Sequence, residues 1–281
     1  MSNSPEENGK VSGVENVPFV DEHIEEGHDE EGKKVRHRGV YLLPNLFTTA
    51  NLFVGFYAII CAIKGDFTSA SAAIFIAMLM DGLDGRVARM TNTQSAFGAE
   101  YDSLADMVAF GLAPALLAHQ WVLHTLGNIG LSISFIYAAC AALRLARFNT
   151  QIGKVDKRWF VGLASPAAAG VVAGCVWAVV VFDAKSGFAG EQIPVILTIF
   201  FAGLVAAAGL AMVSNVKYYS FKDFNFKERV PFVVILIVVL AISILSMDTP
   251  RVLFIVFFCY ALSGPLYLVE RARRRRKTKK V

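Results

Sequence analysis

An all-α, polytopic helical membrane protein with about eight transmembrane helices is the fold this sequence predicts, on three observations. Of its 281 residues 55% are hydrophobic, and the mean hydropathy is +0.51. A soluble domain of that length would have too little polar surface for such a mixture. The apolar residues also fall into blocks rather than at amphipathic spacing, and a helix needs about 20 of them to cross the hydrocarbon core. Finally, if the N-terminus is cytoplasmic, 24 of the 27 Lys and Arg lie on the cytoplasmic side, all but Lys64, Lys185 and Arg251. That is a strong positive-inside bias.

The blocks place candidate spans at residues 43–63, 67–90, 97–123, 126–146, 161–182, 192–213, 230–247 and 251–269. Eight crossings put both termini in the cytoplasm. The first block begins only after a long charged segment, so no cleavable signal peptide is expected. Residues 1–39 form a separate region, with ten acidic residues against one lysine between Ser2 and Gly32. Too few bulky apolar side chains are present there to offset ordering entropy, which predicts a disordered tail. Its end is basic (Lys33, Lys34, Arg36, Arg38) and abuts the membrane domain, residues 40–270. Residues 271–281 form a second basic tail, suited to topology and anionic lipid rather than nucleic acid.

Cys61, Cys140, Cys175 and Cys259 all lie within predicted spans and form no CxxC pair. They read as small core residues rather than zinc ligands or a disulfide framework. His119 and His124 sit near the non-cytoplasmic end of the third span and read as interfacial.

Four carboxylates stand where lipid-compatible side chains belong. Asp81 and Asp84 are i, i+3 near the cytoplasmic end of the second span; Asp102 and Asp106 are i, i+4 near the cytoplasmic start of the third. Each pair therefore shares a helical face. A short polar turn, residues 91–95, makes the two helices antiparallel neighbours. Each Asp at mid-helix costs roughly 2.5–3.5 kcal/mol on the lenient insertion scale, and four together repel one another. Hard oxygen donors without His or Cys suit Mg²⁺ or Mn²⁺, and several carboxylates suit two ions. Gly85, Ala88 and Gly98 lie i±4 from these acids and leave room for a ligand, while Arg86 and Arg89 bring positive charge to the cytoplasmic mouth. For a single Asp a capped helix end or buried pair would suffice as explanation. A proton or cation relay is the alternative for the whole cluster, but the acids gather at one membrane face.

The order D-x2-D-G-x2-A-R-x8-G-x3-D-x3-D, filled by Asp81, Asp84, Gly85, Ala88, Arg89, Gly98, Asp102 and Asp106, resembles the signature of the CDP-alcohol phosphatidyltransferases. The resemblance covers residue 40 onward. It implies a two-metal site on the cytoplasmic side of the inner membrane, with Asp81, Asp84 and Asp102 as metal ligands. Asp106 would be both a ligand and the general base. Gly85, Ala88, Arg89 and Gly98 would line the nucleotide pocket, with Thr48 and Asn51 of the first span in contact with it. A homodimer is also implied.

Three further stretches, Arg144 to Asn149, Gly162 to Pro166 and Met212 to Lys222, resemble the bacterial and archaeal phosphatidylserine synthases of that family, with Ala164 in place of an expected proline. The substrates implied are CDP-diacylglycerol and L-serine. Arg86, Arg144, Arg147, Asn149, Ser165, Lys217 and Lys222 are the candidates for holding serine; positive-inside anchoring explains each arginine equally well. No H-x-K-x4-D pattern is present, so a covalent phosphohistidine route is not indicated. Another acceptor alcohol (glycerol phosphate, inositol phosphate, choline) remains the alternative within the same chemistry.

Overall fold

The computed structural model describes residues 27–28, 34–35, 42–91, 96–150, 159–186, 194–219 and 232–278. The chain divides into two units, Met1–Gly39 and Val40–Val281. In the first, β1 (Gly27–His28) pairs antiparallel with β2 (Lys34–Val35). The rest of the expected acidic tail lies outside the described residues.

The second unit is helical: α1 (Leu42–Ile63), α2 (Phe67–Met90), α3 (Ala96–Asp106), α4 (Ala113–Trp121), α5 (Asn128–Thr150), α6 (Ser165–Ser186), α7 (Val195–Val213), α8 (Phe232–Met247) and α9 (Thr249–Thr278). Among the described residues seven helices are long and apolar enough to cross a membrane, α3 and α4 counting as one. The protein is therefore a polytopic helical membrane protein. Of the eighth candidate, residues 230–247, the described part forms α8, an apolar helix of 16 residues, and residues 230 and 231 lie outside the described residues.

The α1–α2 hairpin turns within three residues. Gly65 takes φ +79°, and Asp66 caps α2 by accepting the Ser69 N–H at 3.0 Å. That backbone bond stabilises the ionised carboxylate and holds Asp66 below the usual Asp range. Small residues let the helices approach closely: Ala58 and Ala62 of α1 and Ala70, Ala73 and Ala77 of α2 are all buried. A Cβ on Gly55 would lie 2.7 Å from Ala109 Cα, so glycine sets that contact.

The third span is not one regular helix. A π-helical segment, Met107–Leu112, separates α3 from α4 and begins directly after Asp106. Such wide turns shift the side-chain register and are frequent at functional sites. The buried Tyr137 hydroxyl donates to Phe110 O at 3.3 Å within it.

The fifth span starts later than expected. Residues Trp159–Val161 form β3, antiparallel to β4 (Lys217–Tyr219), with Val161 opposite Lys217. Gly162 takes φ +85° and donates its N–H to Val216 O at 2.8 Å, and Leu163 N–H reaches Ala211 O at 3.0 Å. The chain is thereby stitched to the end of α7 before α6 begins at Ser165. α9 packs on α6, where Gly170 and Gly174 admit Phe257 and Phe254. Three cysteines are buried core residues as expected, whereas Cys259 on α9 is exposed; all four are free thiols.

Candidate active site

Three helices build the acidic site: α2 brings Asp81 and Asp84, α3 brings Asp102 and Asp106, and α1 brings two polar partners. Carboxylate oxygens of Asp81, Asp102 and Asp106 lie within 4.8 Å of one another, the one group among the described residues with metal-ligand spacing. Asp84, 5% exposed, sits beside them and accepts the Thr48 hydroxyl at 3.0 Å. The Asp84 and Asp102 carboxyls are also within hydrogen-bonding reach of each other. Asn51, fully buried, donates Nδ2–H to Asp106 Oδ1 at 3.2 Å. Thr48 and Asn51 lie nearly one turn apart on α1, so a single helix face supports one acid from each neighbouring helix.

The donor set fits a hard divalent cation. Asp102 Oδ1 and Asn51 Oδ1 are buried acceptors with no hydrogen-bond partner, and an unpaired buried acceptor is expensive unless a cation or ligand meets it. Carboxylates gathered this closely call for the same complement.

Around the acids, a Cβ on Gly85 would meet nothing within 4 Å, so the carboxylate face of α2 is open there. Ala88 and Gly98 are half-buried, and Arg86 and Arg89 are exposed at the end of α2. The ring of Phe97 stacks on Tyr101, whose hydroxyl is 3.0 Å from Thr49 Oγ1. Those aromatic contacts at the mouth were not anticipated from the sequence.

The basic candidates separate in space. Arg144 on α5 feels the charge of Asp106 and donates Nη1–H to the buried Ser165 hydroxyl at 2.9 Å. Its Nε–H is buried without a partner. Arg147, one turn on, instead clamps the end of α7, with bonds to Val213 O at 3.4 Å and Asn215 Oδ1 at 2.8 Å. Asn149 ties α5 to α3 through Ser103 at 3.1 Å and Glu100 at 3.2 Å. Lys217 lies in the β3–β4 ribbon, and Lys222 is outside the described residues. His119 and His124 are at the far end of the third span from the acids, with His124 Nδ1 3.2 Å from His119 O.

The sequence description of the CDP-alcohol phosphatidyltransferases matches residues 41–214, which contain every side chain of this site. The chain belongs to that family. Among its relatives are two Helicobacter pylori proteins named CDP-diacylglycerol–serine O-phosphatidyltransferase, each 36% identical over 230 residues, 82% of this chain and 93% of theirs. The Bacillus subtilis protein of the same name is 34% identical over 180 residues, 64% of this chain and 91% of its own. A Saccharomyces cerevisiae protein of that name is 35% identical over 184 residues, 57% of this chain and 66% of its own. The residues that match the family description span the acidic site and end before β4, α8 and α9.

Proposed function

We propose that this protein transfers the phosphatidyl group of CDP-diacylglycerol to the hydroxyl of L-serine, giving phosphatidylserine and CMP. The convergence of Asp81, Asp102 and Asp106 oxygens within 4.8 Å carries the chemistry; the names of the relatives support serine as acceptor. The liponucleotide presents its pyrophosphate at the membrane surface, where the acids sit near the ends of α2 and α3. Asp81, Asp84, Asp102 and Asp106 would hold divalent metal, which in our reading is two Mg²⁺ or Mn²⁺ ions. When bound, such ions draw charge from the pyrophosphate oxygens and stabilise the departing CMP.

The chain's own residues account for the rest. Gly85, Ala88 and Gly98 leave the acid face of α2 and α3 open to the cytidine, and Arg89 sits at its mouth. The serine Oγ attacks the phosphorus bearing diacylglycerol, the phosphorus–oxygen bond to CMP breaks, and the serine proton passes to Asp106. Since Asn51 occupies Oδ1, Oδ2 is the proton acceptor. The Asn51 bond also fixes the rotamer of the base, which matters because general-base efficiency depends on geometry first. Arg144, between Asp106 and Ser165, is the candidate for the serine carboxylate, matching its fork of N–H donors to two oxygens. Arg147 and Asn149, engaged with α7 and α3, shape the pocket rather than reach into it.

The charge bias supports reading this site and both termini as cytoplasmic, at the inner membrane, with α8 completing an eighth crossing, and the protein is read as a homodimer by family resemblance. The test is CMP release by purified protein supplied with CDP-diacylglycerol and a panel of acceptors. Release with L-serine, lost in EDTA and restored by Mg²⁺ or Mn²⁺, is the expected result. Release only with glycerol phosphate, inositol phosphate or choline overturns the acceptor assignment. No release with any acceptor overturns the transferase reading.

A further inference from the structure

Asn51 is fully buried in an apolar helix, yet it uses only one end of its amide. Nδ2–H goes to Asp106 Oδ1 at 3.2 Å, whereas Oδ1 is buried with no partner. Chemistry fixes that orientation: an ionised carboxylate only accepts, so the N–H side must face Asp106 and the carbonyl oxygen must turn elsewhere. Holding a carboxylate does not call for an amide. Thr48, three residues earlier, does the same for Asp84 with a hydroxyl at 3.0 Å. An amide at Asn51 carries a second polar atom into a sealed place, and that atom needs a partner.

A second orphan lies close by. Asp102 Oδ1 is also buried without a partner, and an oxygen of Asp102 lies within 4.8 Å of one of Asp106. Asn51 Oδ1 is two bonds from the nitrogen that meets Asp106, which keeps it within about 6 Å of Asp106 Oδ1. Both orphans are acceptors, so neither can satisfy the other. A divalent cation satisfies both, since hard cations take Asn carbonyl oxygens as well as carboxylates. At about 2.0–2.1 Å from its ligands, Mg²⁺ also needs less room beside a sealed oxygen than a water or an ammonium group does.

We propose that Asn51 Oδ1 is itself a metal ligand, a fifth oxygen donor beside the four aspartates, rather than the nucleotide contact that the resemblance implies. Asn51 thereby extends the metal reading of the acidic site, on which this assignment rests. Being neutral, the amide adds a donor without adding charge. Four carboxylates already balance two divalent ions, and a fifth would repel the pyrophosphate that the ions must receive. One planar group then holds the general base through its N–H and the ion through its carbonyl, fixing the two relative to each other.

The experiment uses the full-length protein made by cell-free synthesis in lipid nanodiscs, with asparagine carrying ¹³C at the side-chain carbonyl, and Mn²⁺ as the probe. Electron–nuclear double resonance shows a strong ¹³C coupling, because a ligating amide puts its carbonyl carbon next to the ion. The coupling vanishes in Asn51→Gln made in the same medium, whose amide carries no label. By titration of the Mn²⁺ resonance, Asn51→Leu binds the ion at least about tenfold more weakly, since even outer-shell partners of a metal cost that much. Asn51→Asp binds it at least as tightly but has a raised KM for CDP-diacylglycerol. Bound Mn²⁺ with no strong ¹³C coupling, or with one that persists in Asn51→Gln, overturns the proposal and leaves the metal reading standing. Unchanged Mn²⁺ affinity in Asn51→Leu with a raised liponucleotide KM does the same and returns Asn51 to the nucleotide. Failure of the unsubstituted protein to bind Mn²⁺ overturns both. Should Asn51→Leu not fold, the labelled spectra still decide.

Discussion

Asp106→Asn separates the two roles assigned to the acid cluster, because the substitution changes charge with almost no change in shape. The new side-chain oxygen can still accept the Asn51 N–H, now at 3.2 Å, so the α1–α3 contact persists. Proton removal from the acceptor hydroxyl is lost, and turnover falls by about 10²- to 10⁴-fold, the usual contribution of a general base. Stability in the absence of metal moves the other way. Oxygens of Asp81, Asp102 and Asp106 lie within 4.8 Å of one another, and unit charges at that separation repel by about 3–4 kcal/mol at an effective dielectric near 20. The substitution removes two of the three repulsions. If screening and counter-ions leave a net relief of about 2 kcal/mol, Tm in EDTA rises by roughly 4–8 °C. Adding Mg²⁺ or Mn²⁺ then stabilises the parent more than the variant. Thermal unfolding in detergent, with and without EDTA, alongside CMP release, gives all three readings. Undiminished release removes Asp106 from proton transfer. An equal or lower metal-free Tm refutes the mutual repulsion on which the metal assignment stands.

Three other substitutions test the surroundings. Gly85→Ala meets no atom within 4 Å and favours the helix by up to about 1 kcal/mol, so Tm holds or rises while the KM for CDP-diacylglycerol increases; an unchanged KM means the open face of α2 takes no ligand. Gly162→Ala forces a Cβ onto φ +85° and against the Met212 carbonyl, with an expected loss of about 2–3 kcal/mol; an unaltered unfolding curve contradicts the stitch between α6 and α7. Arg147→Ala breaks the bonds to Val213 and Asn215 and lowers Tm by the equivalent of about 2 kcal/mol, whereas Arg144→Ala raises the serine KM at nearly constant Tm. Interchanged outcomes for the two arginines would reverse their assignments.

The long apolar runs and the i, i+3 and i, i+4 spacing of the acids settled much in advance, since both depend only on neighbours along the chain. Seven of the expected spans and the gathering of Asp81, Asp102 and Asp106 follow from that local information. The polar residues Thr48 and Asn51 were named beforehand through the resemblance, as nucleotide contacts, whereas their bonds to Asp84 and Asp106 came only with the fold. Arg144 and Arg147 show the limit: the same residue type, one turn apart on one helix, has different work in each case. Arg147 is taken up by Val213 and Asn215, 66 and 68 residues away, and nothing local distinguishes it from its neighbour.

Tertiary packing alone decided the remainder. The π-helical turn after Asp106 brings the Ala109 backbone against Gly55 of a distant helix, and the β3–β4 ribbon depends on pairing Trp159–Val161 with Lys217–Tyr219 across the whole of α6 and α7. The Tyr218 hydroxyl, which donates to Ala261 O of α9 at 3.2 Å, is of the same kind. Hydropathy and helical period report which face a residue occupies, because those are properties of a single segment. Which donor meets which acceptor is fixed only when distant segments exclude lipid from between them and each buried polar group must find a partner there.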